Sequence, residues 1–500
     1  MPHHSPSPPP SNHRPTRTDA AARPTPTQLA HSWLTRYRDL IDDWDAFAAA
    51  LARSLPVTLW ANPTRISIAA LTDLLTEDAL APQPIPGLPN ALRLPPEYRV
   101  GQQWWYCVGL AHAQEVVSQL PVTVLDLQPG QRVLDLCAAP GGKTAQIAFA
   151  LGNRGTVIAN DIGYGRLKAL QGNLDRLGVI NVTTTQSDGR NWPTASGQFD
   201  RVLVDAPCSS EGTIRRNPSL LQRHDPATAE RFGPRQRALL RRAVQRCRPG
   251  GLVLYSTCTF APEENELVVA DILAEYAGQL QLREIDFPGF NTAPGVTRWL
   301  GRTLPPELAR CRRFWPHRND TGGFFIALLE KDPSLPAEPE PELAHLADSE
   351  HDEWLDGLIA KYGLPEDYWS RYRINRQTKR GLHLLAADHA PPAVPAAEGR
   401  GLFFHRTNVR PPKPTTSGAL VIGPDATRFR LELNREQRDA YLRRELFAPT
   451  AAQRAANPPG QAIVSYRGQI LGIAVLHRSG VIESQFPSRW SGQAATELPA

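Results

Sequence analysis

The sequence predicts a mixed α/β protein whose centre is a doubly wound, largely parallel sheet. Three observations carry this. Four short runs, "RVLDLC" (132–137), "TVIAND" (156–161), "FDRVLVDAP" (199–207) and "GLVLYSTC" (251–258), are rich in Val, Leu and Ile and read as strands buried on both faces. Helical patterns such as "GYGRLKALQGNLDRLG" and "PRQRALLRRAVQRCRPGG" lie between them, and this alternation builds a parallel sheet covered by helices. The runs end in aspartates, cysteines and small residues, at the strand ends where open α/β sheets hold their ligands.

Taken in order, the elements divide the 500 residues into more than one core. Residues 1–28 are rich in Pro, Ser, Thr and Arg and have no apolar core of a secretory signal, so a disordered tail is expected. Residues 29–108 mix a helical stretch, "LAHSWLTRYRDLIDDWDAFAAALARSL", with the Pro-rich "APQPIPGLPNALRLPPEYR", and are expected to form a small N-terminal domain. The α/β domain follows over 109–331, with a weaker strand in "NVTTTQSD" (181–188) and a last strand in "GGFFIALLEK" (322–331). The Pro-Gly-Gly after "PRQRALLRRAVQRCR" is a helix stop before the fifth run. The acidic, Pro-rich segment 332–350 reads as a linker. Residues 351–500 read as a small α+β or β-barrel module, with a capping box at Asn434 and Gln437 and strand-like "QAIVSYRGQILGIAVLHRSGVIES".

Apolar content of 41% and charged content of 21% suit a soluble globular protein, and no apolar run approaches the roughly 18 residues of a membrane span. A net charge of +5 permits nucleic-acid binding without requiring it. The six cysteines, 107, 137, 208, 247, 258 and 311, include no CxxC spacing, so no metal site is expected. Without an export signal, a reducing cytoplasm and free thiols are the expectation. Of the cysteines, 107, 247 and 311 fit no catalytic pattern and read as packing. A monomer is expected.

The chemistry starts at Asp135, which closes the first strand. The residues after it, Cys137, Ala138, Ala139, Pro140, Gly141, Gly142 and Lys143, are mostly small, and a helix opens near Lys143. Small residues let a ligand approach the backbone. "GGKT" invites a phosphate-loop reading, but that motif needs glycine where Cys137 stands, and no GxGxxG occurs here. The ligand left for this geometry is S-adenosylmethionine, whose charged amino-acid moiety suits backbone groups of the loop. Asp161, ending the second strand, can accept both ribose hydroxyls; the competing role is a helix cap. Asp188, ending the third, can bond the adenine amino group; the competing role is an Asx-turn. Asp205 and Cys208 end the fourth strand and Cys258 the fifth. Two thiols at one cofactor cleft suit methylation of cytosine C5, a poor nucleophile. A thiolate added to C6 makes C5 enamine-like, an acid at N3 accepts the shifted electron density, and a second thiol can assist loss of the C5 proton. Asp205, in its protonated form, is positioned for N3.

"VLDLCAAPGGKT", "AND", "SDGR", "VDAPCSSEGTIRRNP" and "YSTCTFAPEENE" together resemble the ordered motifs of the NOL/NOP/Sun RNA cytosine-5 methyltransferases. "GLAHAQEVVSQLPV" (109–122) resembles the segment preceding the family's cofactor loop, and "WPHRNDTGGFFIALLEK" (315–331) its closing motif. The resemblance covers roughly 55–331 with no departure at these positions. It implies a Rossmann-like class I methyltransferase domain, an RNA-recognition role for 29–108, Cys258 as nucleophile, Cys208 as helper in release, and S-adenosylmethionine held by 137–143, Asp161, Asp188 and Asp205. "GQAIVSYRGQILGIAVLHRSGVIESQFPSRW" resembles the PUA-like, RNA-binding tail of bacterial ribosomal RNA methyltransferases of the RsmF type. Ribosomal RNA is thereby favoured as substrate, with transfer RNA open.

Two other readings compete. In a DNA cytosine-5 methyltransferase the cysteine after proline, Cys208, would attack, but the expected Glu-Asn-Val partner is absent. A non-catalytic ribosome-assembly platform would have no reason to keep both cysteines. Of the lesser signals, the Arg-rich helix at 235–248 reads as a solvated face, and Trp104, Trp105 and Tyr106 as packing. Arg215 and Arg216 are evenly balanced between RNA phosphate contact and structure.

Overall fold

The computed structural model describes residues 23–25, 28–29, 31–96, 98–223, 225, 227–346, 353–378, 380–410 and 412–490. Most of the tail expected over 1–28, and the end of the linker expected over 332–350, lie outside these residues.

The central sheet holds β1 (Arg132–Asp135), β2 (Thr156–Asn160), β3 (Val182–Thr185), β4 (Phe199–Asp205), β5 (Cys247–Thr257), β6 (Arg312–Phe314) and β7 (Phe324–Lys331). Its order is β3-β2-β1-β4-β5-β7-β6. The first five strands pair in parallel, while β7 runs antiparallel to both β5 and β6. The order reverses between β1 and β4, which opens a crevice at their carboxyl ends. Val133, Leu134, Val202, Leu203, Val253 and Leu254 are fully buried, as unbroken apolar runs in a two-faced sheet require. Helices α1 (Gly142–Ala150), α2 (Tyr164–Leu177), α3 (Ala227–Arg246) and α4 (Glu266–Glu275) supply the cover. Gly178, at φ 78°, ends α2 in the left-handed region, where glycine carries no Cβ penalty.

The α3 helix starts at Ala227, ahead of the Pro234 expected to open it, and the strand after it begins at Cys247, inside the expected stop. Gly251 explains why the turn there needs glycine: a Cβ would lie 2.6 Å from Cys247 Sγ and 2.8 Å from the Asp200 carbonyl.

The helical stretch at 29–55 is broken into a 3-10 turn, Trp33–Leu40, and a helix, Trp44–Leu51, whose cap Asp43 accepts from the Ala46 amide. Tyr37 and Phe47 pack from these onto Phe260, the latter also on Trp315, in the core of the α/β domain. The Pro-rich stretch folds into strands 83–85 and 88–94, which join 57–61 and 111–113 in a four-stranded antiparallel sheet.

Beyond the linker lie β8 (Tyr372–Thr378), β9 (Gly381–Ala386), β10 (Ala397–Arg400), β11 (Leu402–Arg406) and β12 (Lys413–Pro414). Strands β8, β9, β11 and β12 make one sheet, while β10 leaves it and adds antiparallel to β3, extending the central sheet. A five-stranded sheet of 430–432, 446–447, 460–466, 469–476 and 482–484 closes the chain, beside the helix capped by Asn434 and Gln437. One apolar core joins Leu59, Leu71, Trp104 and Trp105 of the N-terminal part to Leu382, Phe404, Ile463 and Ile473. Among the described residues, no helix is long and apolar enough to cross a membrane.

Candidate active site

The crevice between β1 and β4 holds a cavity of about 310 Å³. Its floor is the loop after β1. Cys137, Ala138, Ala139, Pro140, Gly142 and Lys143 line it, with Asp135, Asp205 and Cys258 from three strand ends. Gly141 turns the chain into α1 at φ 103°. At Gly142 a Cβ would meet Gln114 Oε1 at 2.7 Å, so any larger residue would push that side chain aside at the cavity wall. Asp135 is 1% exposed; Thr144 Oγ1 donates to its Oδ2 at 2.7 Å, and its buried Oδ1 has no hydrogen-bond partner among the described residues. Burial pushes its pKa up to about 7. A small-residue cradle with backbone groups and an unsatisfied buried carboxyl oxygen fits a ligand with a charged, hydrogen-bonding end, as S-adenosylmethionine has.

At the end of β4, Asp205 is held from two sides. Lys143 Nζ donates to its Oδ2 at 2.8 Å and to Ser118 Oγ at 2.7 Å, while Ser256 Oγ donates to Asp205 Oδ1 at 2.8 Å. Lys143 thus acquires a definite place, as the cation that fixes the Asp205 carboxylate at the cavity wall.

Strands β4 and β5 are parallel neighbours, so the loops that follow them meet, and Cys208 Sγ lies 3.4 Å from Cys258 Sγ. Cys258 also contacts Ser210 Oγ at 3.7 Å. The hydrogen bond from Cys208 holds the Cys258 thiol below the usual range against its burial, with Ser210 and the Lys143 ammonium helping. The same bond, with burial, holds Cys208 well above it. The two thiols therefore sit in different surroundings: Cys258 lines the cavity with its pKa shifted down, and that of Cys208 is shifted up.

A buried carboxylate, which the sequence reading did not single out, ties the two loops. Glu264 is fully buried and accepts from the Ser209 amide at 2.9 Å, from Ser209 Oγ, and from Gln236 Nε2 at 2.9 Å. Gln236 Nε2 also reaches the Pro207 carbonyl at 2.9 Å, and Ser209 Oγ meets Thr259 Oγ1 at 2.7 Å. The Gly212 amide donates to the Cys258 carbonyl at 2.9 Å. The residue lies inside the quoted "APEENE", but a glutamate there is indistinguishable in sequence from a solvated one.

Not every expected residue lines the cavity. Asp161 is buried at the rim, where its carboxylate accepts from the Ala139 amide at 3.3 Å and the Gly163 amide at 2.9 Å, and pairs with Arg166 at 3.3 Å. Asp188 caps the short turn after it and pairs with Arg190 at 2.6 Å, which lowers its pKa. Arg215 is buried and bonds the carbonyls of Ser54 and Thr321 and the carboxylate of Asp320, so it braces the site; Arg216 is exposed. Trp104 and Trp105 are buried, and Cys107, Cys247 and Cys311 are buried free thiols. On α3, Arg237 and Arg241 pair with Asp271 and Glu275 of α4, as on a solvated face.

Comparison with known proteins adds to this geometry. Residues 122–330 match the family model described as 16S rRNA methyltransferase RsmB/F. The chain is 35% identical over 322 residues to ribosomal RNA small subunit methyltransferase F of Salmonella agona, covering 62% of this chain and 65% of that protein. The Escherichia coli O139:H28 protein of the same name is 34% identical over 323 residues, with the same coverage. The chain thus spans about 65% of the length of these curated relatives. A methyltransferase homolog protein from Pyrococcus horikoshii is 30% identical, superposes with a TM-score of 0.55, and is matched over 98% of its chain and 61% of this one. NSun6 from the same organism, solved with SFG, shares the fold at 24% identity and a TM-score of 0.52, over 62% of this chain and 98% of its own. With the strand order and the cysteine pair beside these matches, the chain belongs to the methyltransferases, as a relative of the Pyrococcus horikoshii homolog, and its residues 122–330 are similar to the RsmB/F family.

Proposed function

We propose that this protein methylates C5 of a cytosine in RNA, ribosomal RNA by preference, with S-adenosylmethionine as methyl donor. The observation that carries the reading is the thiol pair at 3.4 Å, with Cys258 opening onto the cavity that also holds Asp205 and Lys143. The donor, when bound, supplies an electrophilic methyl group; residues 137–143, Asp161, Asp188 and Asp205 would hold it. The Cys258 thiolate attacks C6 of the base, forming an S–C6 bond as the ring electrons move toward C5 and N3. Asp205, held by Lys143 and Ser256, faces N3, and a proton shared between its carboxyl group and N3 would stabilise that charge. Once C5 carries the methyl group, Cys208 assists release: having given its own proton to solvent, it takes the C5 proton. The electron pair of that C–H bond re-forms the C5–C6 double bond, and the S–C6 bond breaks to return the Cys258 thiolate.

The target base must be unpaired or flipped to reach Cys258. We read 29–108 as an N-terminal RNA-recognition domain, 109–331 as the catalytic domain, and 351–500 as a PUA-like RNA-binding module joined by the 332–350 linker. The protein would act as a monomer in the cytoplasm, where a reducing milieu keeps both thiols free.

The test is covalent trapping. Incubated with 5-azacytidine-containing ribosomal RNA and S-adenosylmethionine, the protein is expected to form an adduct resistant to denaturing electrophoresis. Cys258→Ala abolishes adduct and methylation, whereas Cys208→Ala accumulates a stalled adduct on ordinary RNA. The opposite assignment of the two variants would transfer the nucleophile to Cys208 and sink the RNA-type mechanism. Bisulfite sequencing of RNA from cells with and without the protein then identifies the methylated base, with a transfer RNA site the competing outcome.

A further inference from the structure

One concentrated block of positive charge lies outside residues 109–331, which hold the cysteine pair. Residues 371–413 carry nine Lys and Arg against two Asp and Glu, an excess of seven, while the whole chain carries only +5. The rest of the molecule is therefore slightly acidic. This span is the sheet of β8, β9, β11 and β12 with the β10 strand that docks on β3. One face of the sheet is committed to packing, because Ile374, Leu382, Leu384, Leu402 and Phe404 enter the shared core.

The other face is built differently. His383 on β9 pairs across the sheet with Phe403 on β11, and their rings lie 5.1 Å apart. The Arg406 guanidinium sits 5.5 Å from the Phe403 ring, and Arg376, Arg380 and Arg406 are exposed. Arg406 is in turn the register partner of Lys413 on β12. Lys413 enters a groove of about 400 Å³ against the five-stranded sheet, together with Lys361, Arg410, Gln461 and Gln485. Among the described residues the groove thus offers three cations and two amides, with Glu483 as its one carboxylate.

We propose that this face and groove form a track for a single-stranded segment of the substrate RNA, with Phe403 as the base-stacking platform and the arginines and lysines on the phosphates. The proposal rests on the RNA-methyltransferase reading, and adds a surface that no catalytic motif contains. The occupant follows from the chemistry. A run of cations with so few acids selects a polyanion. A half-exposed phenylalanine flanked by imidazole and guanidinium stacks an unpaired base, whose face a duplex hides. Two glutamines among the cations can hydrogen-bond base edges. Docking of β10 on β3 fixes the track to the sheet that bears Cys258, so RNA gripped here reaches the cavity in a set register.

The test uses the full chain without cofactor, titrated against a fluorescein-labelled 12-nucleotide oligouridine and an RNA duplex of the same length. The single strand is expected to bind more tightly. Arg376→Gln with Arg406→Gln should weaken it at least tenfold and flatten the dependence of log affinity on log salt by about 0.7 per phosphate contact removed. Phe403→Leu, which keeps an apolar side chain, should weaken it about fivefold or more while leaving that slope alone. Photocrosslinking of a 4-thiouridine oligonucleotide to the unaltered protein should map to the peptide containing Phe403, independently of how well any variant folds. Affinity and salt slope unchanged in the arginine variant, tighter binding of the duplex, or crosslinks confined to other peptides would each overturn the proposal. The two readings fail separately. Arginine-dependent binding in a protein that methylates no RNA sinks only the enzymatic reading. Methylation whose KM for RNA is the same in the arginine variant sinks only the track.

Discussion

At the residue scale the question is which sulfur holds the proton. A thiol donating across 3.4 Å lowers its acceptor's pKa and raises its own, and the surroundings break the tie. Ser210 and Lys143 lie toward Cys258, whereas burial and Glu264 act against charge on Cys208. Cys208→Ala should therefore shift the pH profile of Cys258 alkylation by iodoacetamide upward, and Cys208→Ser, which keeps an O–H donor, by less. An unshifted profile in the alanine variant would remove Cys208 as the cause. Asp135 offers a second, opposite-signed titration. Its folded pKa of about 7 exceeds the ordinary 3.8, so the neutral form belongs to the fold. The stability this contributes is complete below pH 3.8 and is lost as pH rises toward 7, at up to about 1.4 kcal/mol per pH unit. Asp135→Asn should flatten that slope in urea unfolding between pH 5 and 7. A slope equal to that of the unaltered protein would mean that the carboxylate ionises without penalty. The cysteines and Asp205 were legible because strand ends converge by topology. The finer electrostatics of Asp161 and Asp188 were not: Arg166 and Arg190, which pair with them, sit in sequence like any other exposed arginine.

At the scale of elements, the loops after β4 and β5 hold little regular structure, a 3-10 turn at Glu211–Thr213, and Glu264 ties them together. It satisfies one buried amide, one hydroxyl and one side-chain amide at once. Leaving buried donors unpaired costs about 1–3 kcal/mol each. Glu264→Ala should thus lower unfolding stability by about 2–4 kcal/mol and slow covalent trapping by at least tenfold. Glu264→Gln, which keeps one acceptor oxygen, should fall between. Trapping at the original rate in the alanine variant would show that the cysteine pair is set by the strands alone. The same scale shows what sequence periodicity can carry. Strands β1, β2, β4, β5 and β7 announce themselves as unbroken apolar runs because both faces are buried. The strands at 83–85 and 88–94 contain Pro84 and Pro89 and sit in a small sheet, and proline masked them as loop. Strands β8 and β10, with sequences "YRINRQT" and "AEGR", carry charge because one side serves something other than a core.

At the scale of the whole molecule, the parts beyond the linker are built into the rest rather than appended to it. Strand β10 covers the edge of β3, with Thr183, Thr184 and Thr185 in its register. His389 contacts Thr183 Oγ1 at 2.8 Å, and Asp388 accepts from the Gly155 amide at 2.9 Å. Farther along, Arg65 Nη2 donates to the Ile470 carbonyl at 2.9 Å, Trp104 packs edge-on against Tyr466, and Arg489 pairs with Asp175 on α2 at 3.0 Å. The N-terminal sheet thus completes its core with residues more than 250 positions away, and the central sheet has an edge strand supplied from the same region. An uncovered edge strand beside exposed apolar surface invites association. A chain ended after residue 350 would bare both the β3 edge and the apolar side of Leu71, Trp104 and Trp105. It should sediment as aggregates or unfold at least 10 °C lower than the full chain, although every catalytic side chain is retained. A monomeric 1–350 fragment with the full chain's melting temperature would show instead that the α/β domain stands alone and that β10 is an ornament on its edge. The expected outcome has a functional corollary: because β10, which lies in the chain between two strands of the RNA-facing sheet, is itself an edge strand of the cysteine-bearing sheet, loss of one should loosen the other, and trapping by the fragment should fall even where it stays in solution.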